Sequence, residues 1–333
     1  MSFHAAAGAI ACAVAIALGG CGSDEANPPP AEPARSPELT TEPAGEVIPG
    51  DSEAEGVAID PVTGLAAIAL REPDRIELVD VSSGRTVERI PTPDPARHLS
   101  LARPGGPVLA PLEYVDQLLR VELPSGRTSS VGVGDFPHDA AEVDDGRIFV
   151  GDEGGDTISV VDGDAVEATL PTPEQPGGVA AAGDVVAVVA VAARVISFYD
   201  AGTLERIEEL SAGAGPSHVV AASDGRFYVT DTGGDALLVY ETDPEPRLVD
   251  RANVSGSPYG IAIDESRERI WVTATATNRL LEFEITDLAP RLVDSFPTVR
   301  QPNSVAVDGR TGEVVVVGRN DGDVQILDPG EAN

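Results

Sequence analysis

From residue 45 to residue 330 the chain repeats a unit of about forty residues, and no other feature limits its possible folds as sharply. Pro137-His138-Asp139-Ala140, followed by Asp144-Asp145-Gly146-Arg147-Ile148-Phe149-Val150-Gly151-Asp152, aligns without gaps on Pro216-Ser217-His218-Val219, followed by Ser223-Asp224-Gly225-Arg226-Phe227-Tyr228-Val229-Thr230-Asp231. Equivalent apolar strands begin at Val57, Leu99, Ala140, Val179, Val219, Ile261 and Val305, in steps of 42, 41, 39, 40, 42 and 44 residues. Seven such units follow. Each is broken every few residues by Gly, Pro or Asp, and the runs between are rich in Val, Ile and Ala, which favours short strands and turns over helices. Four strands per unit, arrayed about an axis, make an all-β, seven-bladed β-propeller of four-stranded antiparallel blades.

Within a unit the first strand is apolar throughout, as in Ile261-Ala262-Ile263, which suits two-sided burial near the axis. The third ends in an acid, at Asp80, Glu122, Asp162, Asp200, Glu241, Glu284 and Asp328, a regular recurrence that reads as turn capping rather than calcium binding. Fourth strands such as Arg85-Thr86-Val87-Glu88-Arg89-Ile90 alternate like a half-exposed edge. The seventh unit stops after its third strand, and Gly45-Glu46-Val47-Ile48-Pro49 resembles the missing fourth. The N-terminal end of the body is therefore expected to close the ring within the last blade.

The strand Tyr228-Val229-Thr230-Asp231, echoed by Trp271-Val272-Thr273, resembles the signature of YVTN-type β-propeller repeats, in the YncE-like, quinoprotein amine dehydrogenase beta-chain-like superfamily. The resemblance covers residues 45–330. It implies the fold and little about function, since such repeats serve binding proteins, surface proteins and enzymes.

Ahead of the body, Ala5 to Leu18 is an uninterrupted apolar run of signal-peptide length, ending at Leu18-Gly19-Gly20-Cys21. That ending resembles the lipobox of bacterial lipoproteins, which implies a signal peptide over 1–20, lipidation of Cys21 and an anchored, extracytoplasmic protein at the cell membrane. Cys12 lies within the segment to be removed, so the mature chain has no partner for a disulfide. Residues 21–44 are acidic and proline-rich and are expected to form a disordered tether.

The 56 acids oppose 22 bases, all arginine, for a formal charge of −34. Such a surface repels phosphate, so nucleic acid is excluded as a partner. The expected partners are the membrane, through the anchor, and a small molecule or envelope protein, with the propeller a monomer.

Candidate chemistry collects where the first strands begin. The residues just before them are Gly56, His98, Asp139, Gly178, His218, Gly260 and Ser304, with His138 one position earlier. These are all the histidines beyond the leader. Acids close the second strands of two of these units, Asp152 with His138 and Asp139, and Asp231 with His218; Glu113 holds the corresponding place near His98. Imidazole beside carboxylate suits a divalent metal, the one cofactor this set could hold, or a general base. The same residues equally suit a polar plug where the channel narrows.

The histidine-and-acid spacing also resembles virginiamycin B lyase, which would make His138 or His218 a base and Asp152 or Asp231 its metal or proton partner. Glu55-Gly56 and Asn303 resemble part of a gluconolactonase-type ligand set, with the remaining ligands missing. Gly-Gly-Asp at 154–156 and 233–235 precedes strands, not helices, and reads as hairpin turn rather than phosphate loop. Units entered at Gly178 and Gly260 lack acids, which favours a non-catalytic binding or scaffold protein. The alternative is a metal-dependent lyase-like or lactonase-like enzyme at the channel mouth.

Overall fold

The computed structural model describes residue 1 and residues 30–286 and 289–331; Cys21 and the leader lie outside the described residues. Seven four-stranded sheets make up the molecule. In the first blade the strands run from the axis outward as Ala54–Asp60, Leu65–Leu70, Arg75–Asp80 and Arg85–Pro91, each antiparallel to the next. The innermost is buried along its whole length and the outermost is largely exposed, as the polarity of their sequences requires. In the second blade the innermost strand shrinks to Ser100–Leu101.

The last blade takes its outermost strand from the other end of the body: Glu46–Ile48 pairs antiparallel with Val324–Leu327, which pairs with Val314–Gly318 and then Pro302–Val307. Gly45 has φ 73°, and a Cβ there would lie 2.3 Å from the Ile326 carbonyl oxygen, so the chain enters this strand only as glycine.

The core lies between blades, not within them. Ile76 and Leu78 of the first blade pack on Val108, Ala110 and Leu112 of the second. Between the fourth and fifth, Phe198 meets Phe227 edge-on at 5.6 Å and both pack with Tyr240. Alternate residues of every inner strand thus reach left and right into neighbouring cores, and the strand's free backbone edge is left facing the axis.

A shared irregularity sets the site. In six blades the pairing of the first two strands slips at its start, between Ala54 and Val57, Pro137 and Asp139, Pro176 and Gly178, Pro216 and Val219, Pro258 and Ile261, and Pro302 and Ser304. A bulge re-aims the residues inside it. His138, His218, Tyr259 and Asn303 fall in these bulges and gather at one end of the axis.

The tether expected over 21–44 is corrected where it is described. Residues 30–44 have no regular secondary structure, but they lie against that same end of the propeller: Ser36 is 3% exposed, and Gln301 and Thr275 hydrogen-bond it. Composition marks a segment unable to form a core of its own, yet it can still be held by polar groups on an existing surface.

Candidate functional site

His98, His138 and His218 converge at the axis. The His98 ring lies 4.6 Å, centroid to centroid, from each of the other two. His218 donates from Nδ1 to the Tyr259 carbonyl at 3.1 Å, which leaves Nε2 as the unprotonated nitrogen of the neutral ring, and the Tyr259 ring stands edge-on to it at 4.5 Å. His138 places Nδ1 2.6 Å from a Glu153 carboxylate oxygen and 3.8 Å from one of Glu113.

The cluster's electrostatics follow from depth. Burial, with His218 and His138 alongside, holds His98 well below the ordinary imidazole range. Burial and His138 push His218 down to about 3. Asp139, beside the rings, is pushed up to about 6 by burial, although the amides of Val179 and Ala140 donate to it at 3.0 and 2.9 Å. Burial also raises Glu153, but His138, through a hydrogen bond and its charge, and the Arg97 charge outweigh it and hold that carboxyl below its usual range.

The acids expected to serve the histidines do something else. Asp152 is wholly buried and accepts from Ser159 Oγ at 2.8 Å, Thr157 Oγ1 at 3.0 Å and the Gly134 amide at 3.1 Å; burial raises it to about 6. Asp231 accepts from the amides of Ala214, Gly215 and Gly234 at 3.0, 2.8 and 3.0 Å. Both clamp the loops that close their blades, so their pairing with His138 and His218 is corrected. The residue that reaches His138 is Glu153, one position on, the first residue of the turn that follows the strand.

Glu113 is buried in an ionic chain, 3.1 Å from Arg71 and 3.6 Å from Arg97. Glu55 lies 3.3 Å from Arg71 and 3.0 Å from Arg319, and Asn303 accepts from Gln301; neither joins a ligand set. Among the described residues no three His, Cys, Asp or Glu side chains have the geometry to hold a metal ion. The rings of His138 and His218 each pack 4.6 Å from that of His98, centroid to centroid, and the nearest carboxylates are already engaged, Glu153 with His138 and Glu113 with Arg71 and Arg97. The cluster does not fit a divalent metal.

On one side of the histidines lies the central channel, about 610 Å³, walled by the inner strands and reaching Pro61, Pro104, Glu142 and Glu265 at the far face. On the other side is a chamber of about 40 Å³, room for a water or two, roofed by Pro30, Ala31 and Glu32 and bounded by Arg97, Glu153, Ser217 and Tyr259. The rings separate the two. The channel is thus stoppered at the face where the first strands begin and open at the face where they end. The sequence brought out the histidines through their spacing; Glu153, Tyr259 and Arg97 carried no comparable signal, being single residues in a turn, a strand start and a loop that the repeat does not mark.

No family model matches the sequence, and no curated protein does. Solved structures do match in shape. Hydrazine synthase of Kuenenia stuttgartiensis superposes with TM-score 0.72 at 14% identity, over 90% of this chain and 99% of that one. Virginiamycin B lyase of Staphylococcus aureus gives 0.72 at 14% identity, over 86% and 99%. A streptogramin B lyase gives 0.72 at 17% identity, over 86% and 96%. Likeness at these identities establishes that the chain is a seven-bladed β-propeller, a fold that these neighbours put to different uses.

Proposed function

We propose that this protein is an extracytoplasmic, lipid-anchored propeller that binds a small hydrogen-bonding molecule in its central channel and performs no chemistry on it. The observation that carries the reading is the channel itself: about 610 Å³, open at one face, lined by free strand edges and stoppered by histidines. Strand edges offer amide donors and carbonyl acceptors along the whole axis, and Asp139 and His218 supply a polar end. Catalysis is poorly supported by the same groups. A general base works best with a pKa near the working pH and a free lone pair; His218 is held at about 3 and His98 is also strongly lowered, while Asp139, pushed up to about 6, has one oxygen taken by the Ala140 amide and the other by the Val179 amide. Asp152 and Asp231, the acids a lyase-like site would need, hold loops.

Native mass spectrometry of the protein taken from its own envelope tests the proposal. A retained small molecule is expected, and Ala181→Trp, which adds bulk where the inner strand borders both the channel and a core, should lose it while keeping the far-UV circular dichroism of the fold. Conversion of a streptogramin B by the purified protein, lost on His218→Ala, would overturn it in favour of a lyase.

A further inference from the structure

The segment ahead of the propeller is held by a site that reads its backbone. Gln301, 6% exposed, treats it as a strand would: its side-chain oxygen accepts from the Ser36 amide at 2.9 Å and its side-chain nitrogen donates to the Ala34 carbonyl at 3.0 Å. Ser36 Oγ, buried, donates to the Thr275 carbonyl at 2.5 Å and accepts from the Gln301 amide at 3.1 Å. Ser257 Oγ accepts from the Ala34 amide at 3.2 Å, and Asn278 donates to the Pro37 carbonyl at 3.0 Å. Asn278, also 6% exposed, is itself oriented by the Gln301 amide at 3.1 Å, and Gln301 by Asn303 at 3.1 Å.

Two features make this more than a resting place for a tail. The amide-bearing side chains are tied to one another by hydrogen bonds within the propeller, Gln301 to Asn278 and to Asn303, so the groove's polar groups are set by the propeller itself. What it selects is specific in chemistry. Arg35 and Pro37 are exposed, whereas the serine between them is buried with its hydroxyl both donating and accepting. Prolines at 33 and 37 hold the segment extended before it binds, which lowers the ordering cost.

We propose that the groove of Ser257, Thr275, Asn278 and Gln301 is a receptor for an extended, proline-flanked peptide with a small hydroxyl residue at its centre, and that residues 33–38 occupy it as an internal copy of that ligand. The site lies outside the channel and goes beyond the function proposed above. A partner polypeptide bearing such a segment would exchange with the internal copy. Exchange would also lift Ala31 from Gly215, where an added Cβ would come within 2.5 Å of the alanine methyl, and so unroof the histidine chamber.

The test uses the full chain and a fluorescein-labelled peptide with the sequence of residues 31–40. In the unaltered chain the tethered copy competes at an effective concentration on the order of millimolar, so micromolar peptide should not bind measurably. Ser36→Trp, too large for the pocket, and independently Ser36→Glu, which sets a carboxylate against the Thr275 carbonyl, should expel the internal copy; faster tryptic cleavage at the exposed Arg35 reports expulsion. Both expelled chains should bind the peptide saturably by fluorescence anisotropy. Adding Gln301→Ala should weaken that binding at least tenfold, and a peptide carrying Trp in place of the serine should not bind. Absence of binding to both expelled, folded chains would reduce the groove to a strap seat and overturn the proposal. So would binding indifferent to Gln301→Ala, or equal binding to the unaltered chain.

Discussion

Asp139 shows how a buried group sets a pH dependence. Its carboxyl is pushed up to about 6 by burial, against an ordinary 3.8, so between those values the unfolded chain ionises first and the fold loses stability as pH rises. The cost is complete above pH 6 and absent below 3.8. At 1.36 kcal/mol per pKa unit it is about 1–3 kcal/mol, discounted because the side chain borders the channel. Asp139→Asn keeps an oxygen for the amides of Val179 and Ala140 but carries no charge. It should raise the melting temperature at pH 7.5 and confer no advantage at pH 3.5, measured by differential scanning calorimetry. His218 has the opposite sign: held at about 3 against 6.5, it costs stability as pH falls through that window, because only the unfolded chain gains the proton readily. His218→Gln should therefore flatten the loss of stability between pH 6 and pH 4 relative to the unaltered chain.

The same residues show what a sequence can convey about a site. His98, His138 and His218 were legible because three copies of a rare residue fall at or one position from the same place in a seven-fold pattern. Their carboxylate partner was not. Asp152 ends its strand at a conspicuous place in the repeat, but it is spent as a loop clamp, and it is Glu153, first residue of the turn, that reaches the axis. A one-residue offset decides between the two, and hydropathy cannot resolve it where both neighbours are acidic.

At the scale of elements, the blades were legible and the strap was not, for one physical reason. Blade strands announce themselves by buried Val, Ile and Ala at regular spacing, whereas the segment over 33–38 is held through its amides, its carbonyls and one serine hydroxyl, none of which alters composition. The closing strand lies between these cases. Glu46–Ile48 is only three residues long, but Val47 and Ile48 pack into the cores on either side of the last blade, and Gly50 donates to Asp323 at 3.0 Å. Deleting residues 45–50 would expose the edge of Val324–Leu327 and unroof both cores. At about 2–4 °C per kcal/mol, losing 2–3 kcal/mol should lower the melting temperature by about 5–10 °C. An unchanged melt would mean that the ring is held without this strand.

For the whole molecule, the strap turns an anchor into an orientation. Under the proposed lipidation of Cys21, residues 22–29 separate the membrane from Pro30, which already lies on the histidine-stoppered face; nine peptide steps reach about 30 Å at full extension. A free tether over 21–44 would let the propeller tumble, whereas one docked from residue 30 fixes which face looks inward. The stoppered face and the peptide groove then look toward the membrane, and the open end of the channel looks away from it. Charge works with this arrangement. With a formal charge of −34 the chain is repelled by anionic lipid, but the repulsion decays over about 8 Å in physiological salt, well inside the reach of the tether, so the face stands off the surface without leaving it. Beyond Cys21 the sequence holds no cysteine, so a labelling cysteine can be placed at will. Thr277→Cys marks an exposed turn on the stoppered face and Asp144→Cys an exposed turn on the opposite one. In proteoliposomes with a headgroup-labelled acceptor lipid, energy transfer from a dye at position 277 should exceed that from position 144, and Ser36→Trp should erase the difference by freeing the strap. Equal transfer in the unaltered protein would mean that residues 30–44 leave the face when the anchor is engaged.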